Sequence, residues 1–180
     1  VENVKNVDRK KLVSMMVGKD LKEMYPKQVL NIGRPLMQVE GLANEIFKNI
    51  TFEVKSGEIV GLFGLLGSGR TNIVEAIYGT RKIISGEIYI DGKRINVKNP
   101  DSAKKNGVAY LPNDRKTEGL IIEQDVKGNI VLASISEKLG VLFINYKNEK
   151  EIAKKWIKRI GIKTPSHETI VKQLSGGNQQ

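Results

Sequence analysis

The chain has no cysteine, so neither a disulfide framework nor a thiolate zinc site is available to it. It has one histidine, His167, which excludes a histidine-based metal centre and a Ser-His-Asp type triad as working hypotheses. No run of 18 apolar residues occurs, so no transmembrane helix is predicted. The first residues, Val1-Glu2-Asn3-Val4-Lys5-Asn6, lack the basic-then-apolar order of a secretory signal. Aromatic residues are sparse at 6%, and no block interleaves them with arginine. The net charge of +10 comes from lysines spread along the whole chain, often at helix-surface spacing, as in Lys154-Lys155 and Lys158-Arg159. That distribution reads as a solvated surface, and no nucleic-acid partner is expected. At 180 residues, 39% hydrophobic and 28% charged, the chain can build a core of its own. These features point to the cytoplasm.

What is present is dominated by one stretch, Gly64-Leu65-Leu66-Gly67-Ser68-Gly69-Arg70-Thr71. It fits the Walker A pattern G-x-x-x-x-G-K-[ST] except that Arg70 stands where lysine belongs. The apolar run Glu58-Ile59-Val60-Gly61-Leu62-Phe63 before it predicts a buried strand. Ile73, Val74 and Ile77 after it predict a helix. Strand, glycine-rich loop and helix together form a phosphate cradle. Backbone N–H groups curl around the phosphate oxygens, and the helix N-terminus adds a favourable dipole. Thr71 is the candidate Mg²⁺ ligand through its hydroxyl. Arginine is a planar fork where lysine is a compact point charge, so the change at Arg70 alters the group that should reach the β- and γ-phosphates.

Around this loop the pattern predicts a short helix over 8–17 capped by Asp8, then a polar linker over 19–35. Strands are predicted at 36–40 and 50–54, at 86–92 with an Asp91-Gly92 turn, and at 108–112. Asn99-Pro100 opens a helix that Gly107 ends. Helices are predicted over 124–139 and 148–160, the second with an apolar stripe of Ile152, Trp156, Ile157 and Ile160 that belongs to a core.

The last residues, Leu174-Ser175-Gly176-Gly177-Asn178-Gln179-Gln180, follow the phosphate loop by about a hundred positions. With the loop, they resemble the ABC transporter ATPases, whose signature reads LSGGQ. Asp114-Arg115-Lys116-Thr117-Glu118-Gly119-Leu120 extends the resemblance to the ATPase subunits of bacterial monosaccharide importers of the ribose, galactose, xylose and arabinose type. Those polypeptides carry two ATPase halves, and the second half typically has arginine in the phosphate loop and a D-R-K-x-x-G-L stretch. The resemblance implies an α/β P-loop NTPase fold with an antiparallel β subdomain and a partial helical subdomain. It divides the chain into 1–35, the end of a preceding ATPase half plus linker, and 36–180, a second ATPase domain. Leu12 to Lys19 resemble the end of such a first half.

The same resemblance implies ATP and Mg²⁺ as cofactors, with 64–71 as the nucleotide-binding residues. It places Asn113 where the family has its Q-loop glutamine. It implies that Leu174, Ser175, Gly176, Gly177, Asn178 and Gln179 act in trans on ATP held by the first ATPase half. The remaining implied partners are a transmembrane sugar permease and, indirectly, a sugar-binding protein. The location implied is cytoplasmic, peripheral on the inner face of the membrane. No Walker B carboxylates or switch histidine of the family pattern occur, so no catalytic residue is assigned and the 180-residue chain by itself is expected to be inactive. Between Val39 and Phe52 the only aromatic placed to stack on adenine is Phe47. Arg70, Asn113 and the poor base platform together predict a degenerate site. A nucleoside importer or a non-transport regulatory ATPase of the same superfamily are the alternatives.

Overall fold

The computed structural model describes residues 7–17, 30–132 and 146–180. The chain divides into two compact units, Val1–Val108 and Ala109–Gln180.

In the first unit, helix α1 spans Arg9–Val17, and Asp8 caps it by accepting the Lys11 N–H at 2.7 Å. A four-stranded antiparallel sheet follows, built from β1 (Pro35–Ala43), β2 (Ile50–Lys55), β3 (Ser85–Ile90) and β4 (Lys93–Ile95) in the order β2-β1-β3-β4. Strand β1 is longer than the alternating pattern predicts. Its register slips against both neighbours around Gly41, so Val39 and Leu42, three apart, are both fully buried. At the slip β3 comes so close that a β-carbon on Gly86 would lie 2.5 Å from the Leu42 Cα, which only glycine permits. Strands β3 and β4 are joined by the predicted two-residue turn, with Asp91 and Gly92 both at positive φ, 53° and 73°. Helix α2 (Arg70–Tyr78) contributes Ile73, Ala76 and Ile77 to a core with Val39, Leu42, Phe47 and Ile88. Helix α3 (Pro100–Lys105) begins as predicted. Asn99 accepts the Ser102 N–H at 2.9 Å, and Ser102 Oγ accepts the Asn99 N–H in return.

Two expected strands are not formed. Residues 58–63 and 108–112 run without ladder pairing among the described residues. Phe63 is 100% exposed, Ile59 91% and Leu111 71%. Apolar runs of this length are read as strands from their own composition, but a strand exists only through hydrogen bonds to a neighbour.

In the second unit, α4 spans Val126–Leu132 and α5 spans Tyr146–Ile160. The predicted helix over 124–139 is thus borne out for 126–132, and its remainder from 133 lies outside the described residues, as do positions 19–29 of the predicted linker. In α5 Ala153 is buried and Ile152, Trp156 and Ile157 are half-buried, whereas Ile160 is exposed. The segments 122–127 and 167–172 are tied by backbone hydrogen bonds. Val126 donates to Thr169, Lys127 to His167, Val171 to Gln124 and Lys172 to Ile122, all at 2.9–3.0 Å. His167 thereby serves through its carbonyl as a structural residue. A short turn, Val171–Gln173, leads into the four-residue helix α6, Gly176–Gln179.

Candidate functional site

The phosphate loop lies in the first unit. Ser68 N–H donates to the Leu65 carbonyl at 3.1 Å, which closes the loop on itself. A β-carbon on Gly64 would sit 2.6 Å from Ser68 Oγ and 3.2 Å from Ser68 Cβ, so a side chain there would make Ser68 shift. Gly67 and Gly69 stand at φ 82° and 86°, in the left-handed region. Gly69 is the N-cap of α2 and offers no side chain to it. The first intrahelical bond is Ile73 N–H to the Gly69 carbonyl at 3.1 Å. The amides ahead of Ile73 therefore face out of the helix N-terminus, where an anion is favoured. Leu65 and Leu66 are exposed on the outer side. Arg70, half-buried, sends its stem back across the loop, with Cδ 3.5 Å from where a Gly64 β-carbon would be. Thr71 follows on the exposed side of α2. This closed, glycine-lined cradle fits a phosphate.

Phe47 is not available as a base platform. It is 6% exposed and belongs to the core. The cause is a local turn: the buried Asn44 accepts the Ile46 and Phe47 N–H groups at 2.8 and 3.0 Å through Oδ1, and its own N–H donates to the Phe47 carbonyl. That turn drives Phe47 inward and leaves Ile46 54% exposed beside Gly69.

The second unit brings the other expected residues together. Asn113 is exposed and lines a small pocket of about 60 Å³ with Arg115, Gly119, Leu120 and Gln179. Asp114 caps the wide turn Arg115–Gly119 and accepts the N–H groups of Lys116 and Thr117 at 2.9 and 3.3 Å. The Lys116 N–H, then the Thr117 hydroxyl and N–H, hold the Asp114 carboxyl below its ordinary range. In the signature, Leu174 packs half-buried and Ser175, at φ −62° and ψ 154°, precedes α6. Asn178 donates its side-chain amide to Ser175 Oγ at 2.9 Å and accepts the Lys163 N–H at 2.8 Å. Gln179 donates to the carbonyls of Val171 and Leu174 at 3.2 and 3.1 Å. Gly177 is exposed at the turn. The two amide side chains thus brace the turn, a role that sequence spacing does not reveal because Lys163 and Val171 lie outside the signature.

The family model described as ABC transporter matches residues 47–180, the span that holds both glycine-rich turns. The chain belongs to the ABC transporter ATPase family. It is 44% identical over 180 residues to the ribose import ATP-binding protein RbsA of Clostridium tetani, covering 98% of this chain and 35% of that protein. It is 40% identical over 173 residues to the galactose/methyl galactoside import ATP-binding protein MglA of the same organism, covering 94% of this chain and 34% of that one. The chain therefore spans about a third of the length of these relatives. Among solved structures it is similar to the ADP conformation of MJ1267, an ATP-binding cassette of an ABC transporter. The TM-score is 0.62 at 20% identity, over 81% of this chain and 61% of that one. The ADP- and Pi-bound cassette MJ0796 gives a TM-score of 0.61 at 22% identity, over 80% and 65%. These likenesses show the P-loop NTPase fold of the ABC cassettes, mixed α/β with a small antiparallel sheet. Among the described residues no helix is long and apolar enough to cross a membrane.

Proposed function

We propose that this chain is a nucleotide-binding half of an importer that uses ATP hydrolysis to drive monosaccharide uptake through a membrane permease, supplied by a sugar-binding protein. It would act at the inner face of the membrane. The names of the relatives at 44% and 40% identity support the sugar class over a nucleoside or regulatory ATPase. In this reading the chain's own nucleotide site is degenerate. Gly64 to Thr71 hold the phosphates of ATP, Thr71 holds Mg²⁺, and Arg70 replaces the compact lysine charge with a fork. Asn113, one methylene shorter than glutamine, stands at the Q-loop position, and Phe47 is withdrawn into the core.

The observation that carries the proposal is the contrast between that altered site and the signature, where Asn178 and Gln179 fix the turn around Ser175 by four hydrogen bonds. A half with a weak site and a well-braced signature is suited to complete its partner's site. Ser175 and the amides of Gly176 and Gly177 would close over the γ-phosphate of ATP held by the other half and stabilise its developing charge. Arg70 and the Asp114-Arg115-Lys116 stretch support the second position in the polypeptide, with the partner half ahead of this chain. A parent sequence whose other phosphate loop lies only downstream would overturn that order.

The functional test is made in reconstituted parent transporter with saturating sugar-loaded binding protein. Gly176→Asp adds a side chain and a negative charge to the turn that must receive the phosphate, and should nearly abolish ATPase activity. Arg70→Ala should cost much less. Equal damage from the two would overturn the division of labour.

A further inference from the structure

Arg115 lies in a stretch to which the reading above gives no task. Its backbone is fixed by the turn that Asp114 caps. Its half-buried side chain reaches across 64 residues of sequence, and its Nε donates to Gln179 Oε1 at 3.3 Å. Gln179 cannot swing away, because its amide nitrogen is committed to the Val171 and Leu174 carbonyls. The far end of the guanidinium lies against the first glycine of the signature. A β-carbon on Gly176 would be 2.8 Å from Arg115 Nη2 and 3.6 Å from Cζ. The partner of this cation is thus a neutral amide, and its space is one that a side chain at 176 would fill.

We propose that Arg115 is a positioning residue for the signature, which sets the pose of the Ser175–Gly177 turn through Gln179, and that Gly176 lacks a side chain in part to seat the guanidinium. The inference rests on the reading that this turn closes over the partner's phosphate. A displacement of well under 1 Å at such a turn is enough to weaken a contact made in the transition state. Arg115 begins two residues after Asn113, so one side chain joins the Q-loop position to the signature. The small pocket lined by Asn113, Arg115 and Gln179 is the space between them.

The test is a set of double-mutant cycles in the reconstituted parent transporter. Arg115→Met keeps the length and removes the donors. It should lower kcat about tenfold, the worth of one charged hydrogen bond, with little change in KM for ATP. Gln179→Leu should do the same, and the double variant should be no worse than the worse single one. Gly176→Ala pushes the guanidinium aside, so it should cost less in the Arg115→Met background than in the wild type. Arg115→Lys, which keeps one donor, should recover part of the rate. If Arg115→Met does not assemble, the same cycle is run with Gln179→Leu and Gly176→Ala.

Multiplying effects, an alanine cost at 176 that is equal in both backgrounds, or a wild-type rate in Arg115→Met would each overturn the proposal. Gly176→Asp in the same preparation separates the two levels. If it abolishes hydrolysis while Arg115→Met is silent, only the role of Arg115 fails. If Gly176→Asp is active, the reading of the signature fails and the role of Arg115 with it.

Discussion

The side-chain amide of Asn178 donates to Ser175 Oγ at 2.9 Å, while its carbonyl oxygen accepts the Lys163 N–H at 2.8 Å. Both ends of one asparagine are therefore used, and the hydroxyl of Ser175 is held as an acceptor toward Asn178 with its proton directed elsewhere. A hydroxyl so oriented is prepared to donate to a phosphate oxygen. Asn178→Leu removes both bonds at nearly constant volume. It should lower kcat of the parent transporter about tenfold, on the scale of a lost hydrogen bond in a transition state. Asn178→Asp keeps the acceptor for Lys163 but cannot donate to Ser175, and it brings a negative charge. It should be at least as damaging. Steady-state phosphate release in reconstituted transporter measures both, and wild-type rates in either variant would contradict this role.

Gly69 and Phe47 predict how nucleotide binds. The loop of left-handed glycines and the start of α2 present amides to phosphates, whereas the aromatic ring of Phe47 is inside the core and offers no platform to a base. Recognition should therefore be carried by the phosphates. ADP, GDP and pyrophosphate are expected to compete comparably for this site. Displacement titrations followed by calorimetry decide the matter, and a strong preference for adenine over guanine would refute it.

The parts of this structure that could be read from sequence are those fixed by near neighbours. Asp91-Gly92 makes its tight turn because both residues accept positive φ, and Asn99-Pro100 starts its helix because one side chain caps and the other presets the backbone. The turns of the glycine-rich loop were legible for the same reason, since Gly67 and Gly69 take positive φ within eight residues. What was not legible depends on partners far along the chain. Residues 58–63 and 108–112 have the composition of buried strands but find no ladder partner among the described residues. The fate of Phe47 was decided by the hydrogen bonds of Asn44, a signal present in the sequence as an asparagine two and three residues ahead of the amides it binds. The contacts of Arg115 with Gln179 and of Lys163 with Asn178 join positions 64 and 15 apart, which no local pattern encodes.

The core of the sheet unit offers a stability prediction. Leu42 is fully buried because the slip at Gly41 turns it to the same side as Val39. Leu42→Ala should destabilise the 180-residue chain by about 2–5 kcal/mol, transfer plus cavity. Asn99→Ala, which removes one half of a reciprocal cap on the short helix α3, should cost about 1 kcal/mol. Urea unfolding followed by circular dichroism reads both. An Asn99→Ala loss as large as that of Leu42→Ala would mean that the cap, not the buried leucine, holds this unit together.

Asp114 gives the pH dependence a definite sign. Its carboxyl is held below the ordinary value of 3.8, first by the Lys116 N–H and then by the Thr117 hydroxyl and N–H, all of which bind the charged form. A carboxylate depressed on folding stabilises the folded state above its unfolded value, and that contribution is lost as pH falls through the folded value. Asp114→Ala should therefore be less stable than the wild type at neutral pH by a margin that does not change with pH. The margin should begin to narrow only as pH drops below the ordinary carboxylate range, and the part due to ionisation should vanish below the lowered value. Thermal melts of both proteins from neutral pH downward follow the margin directly. A margin that widens on acidification would show that the turn at 115–119 is not held by the charged form of Asp114.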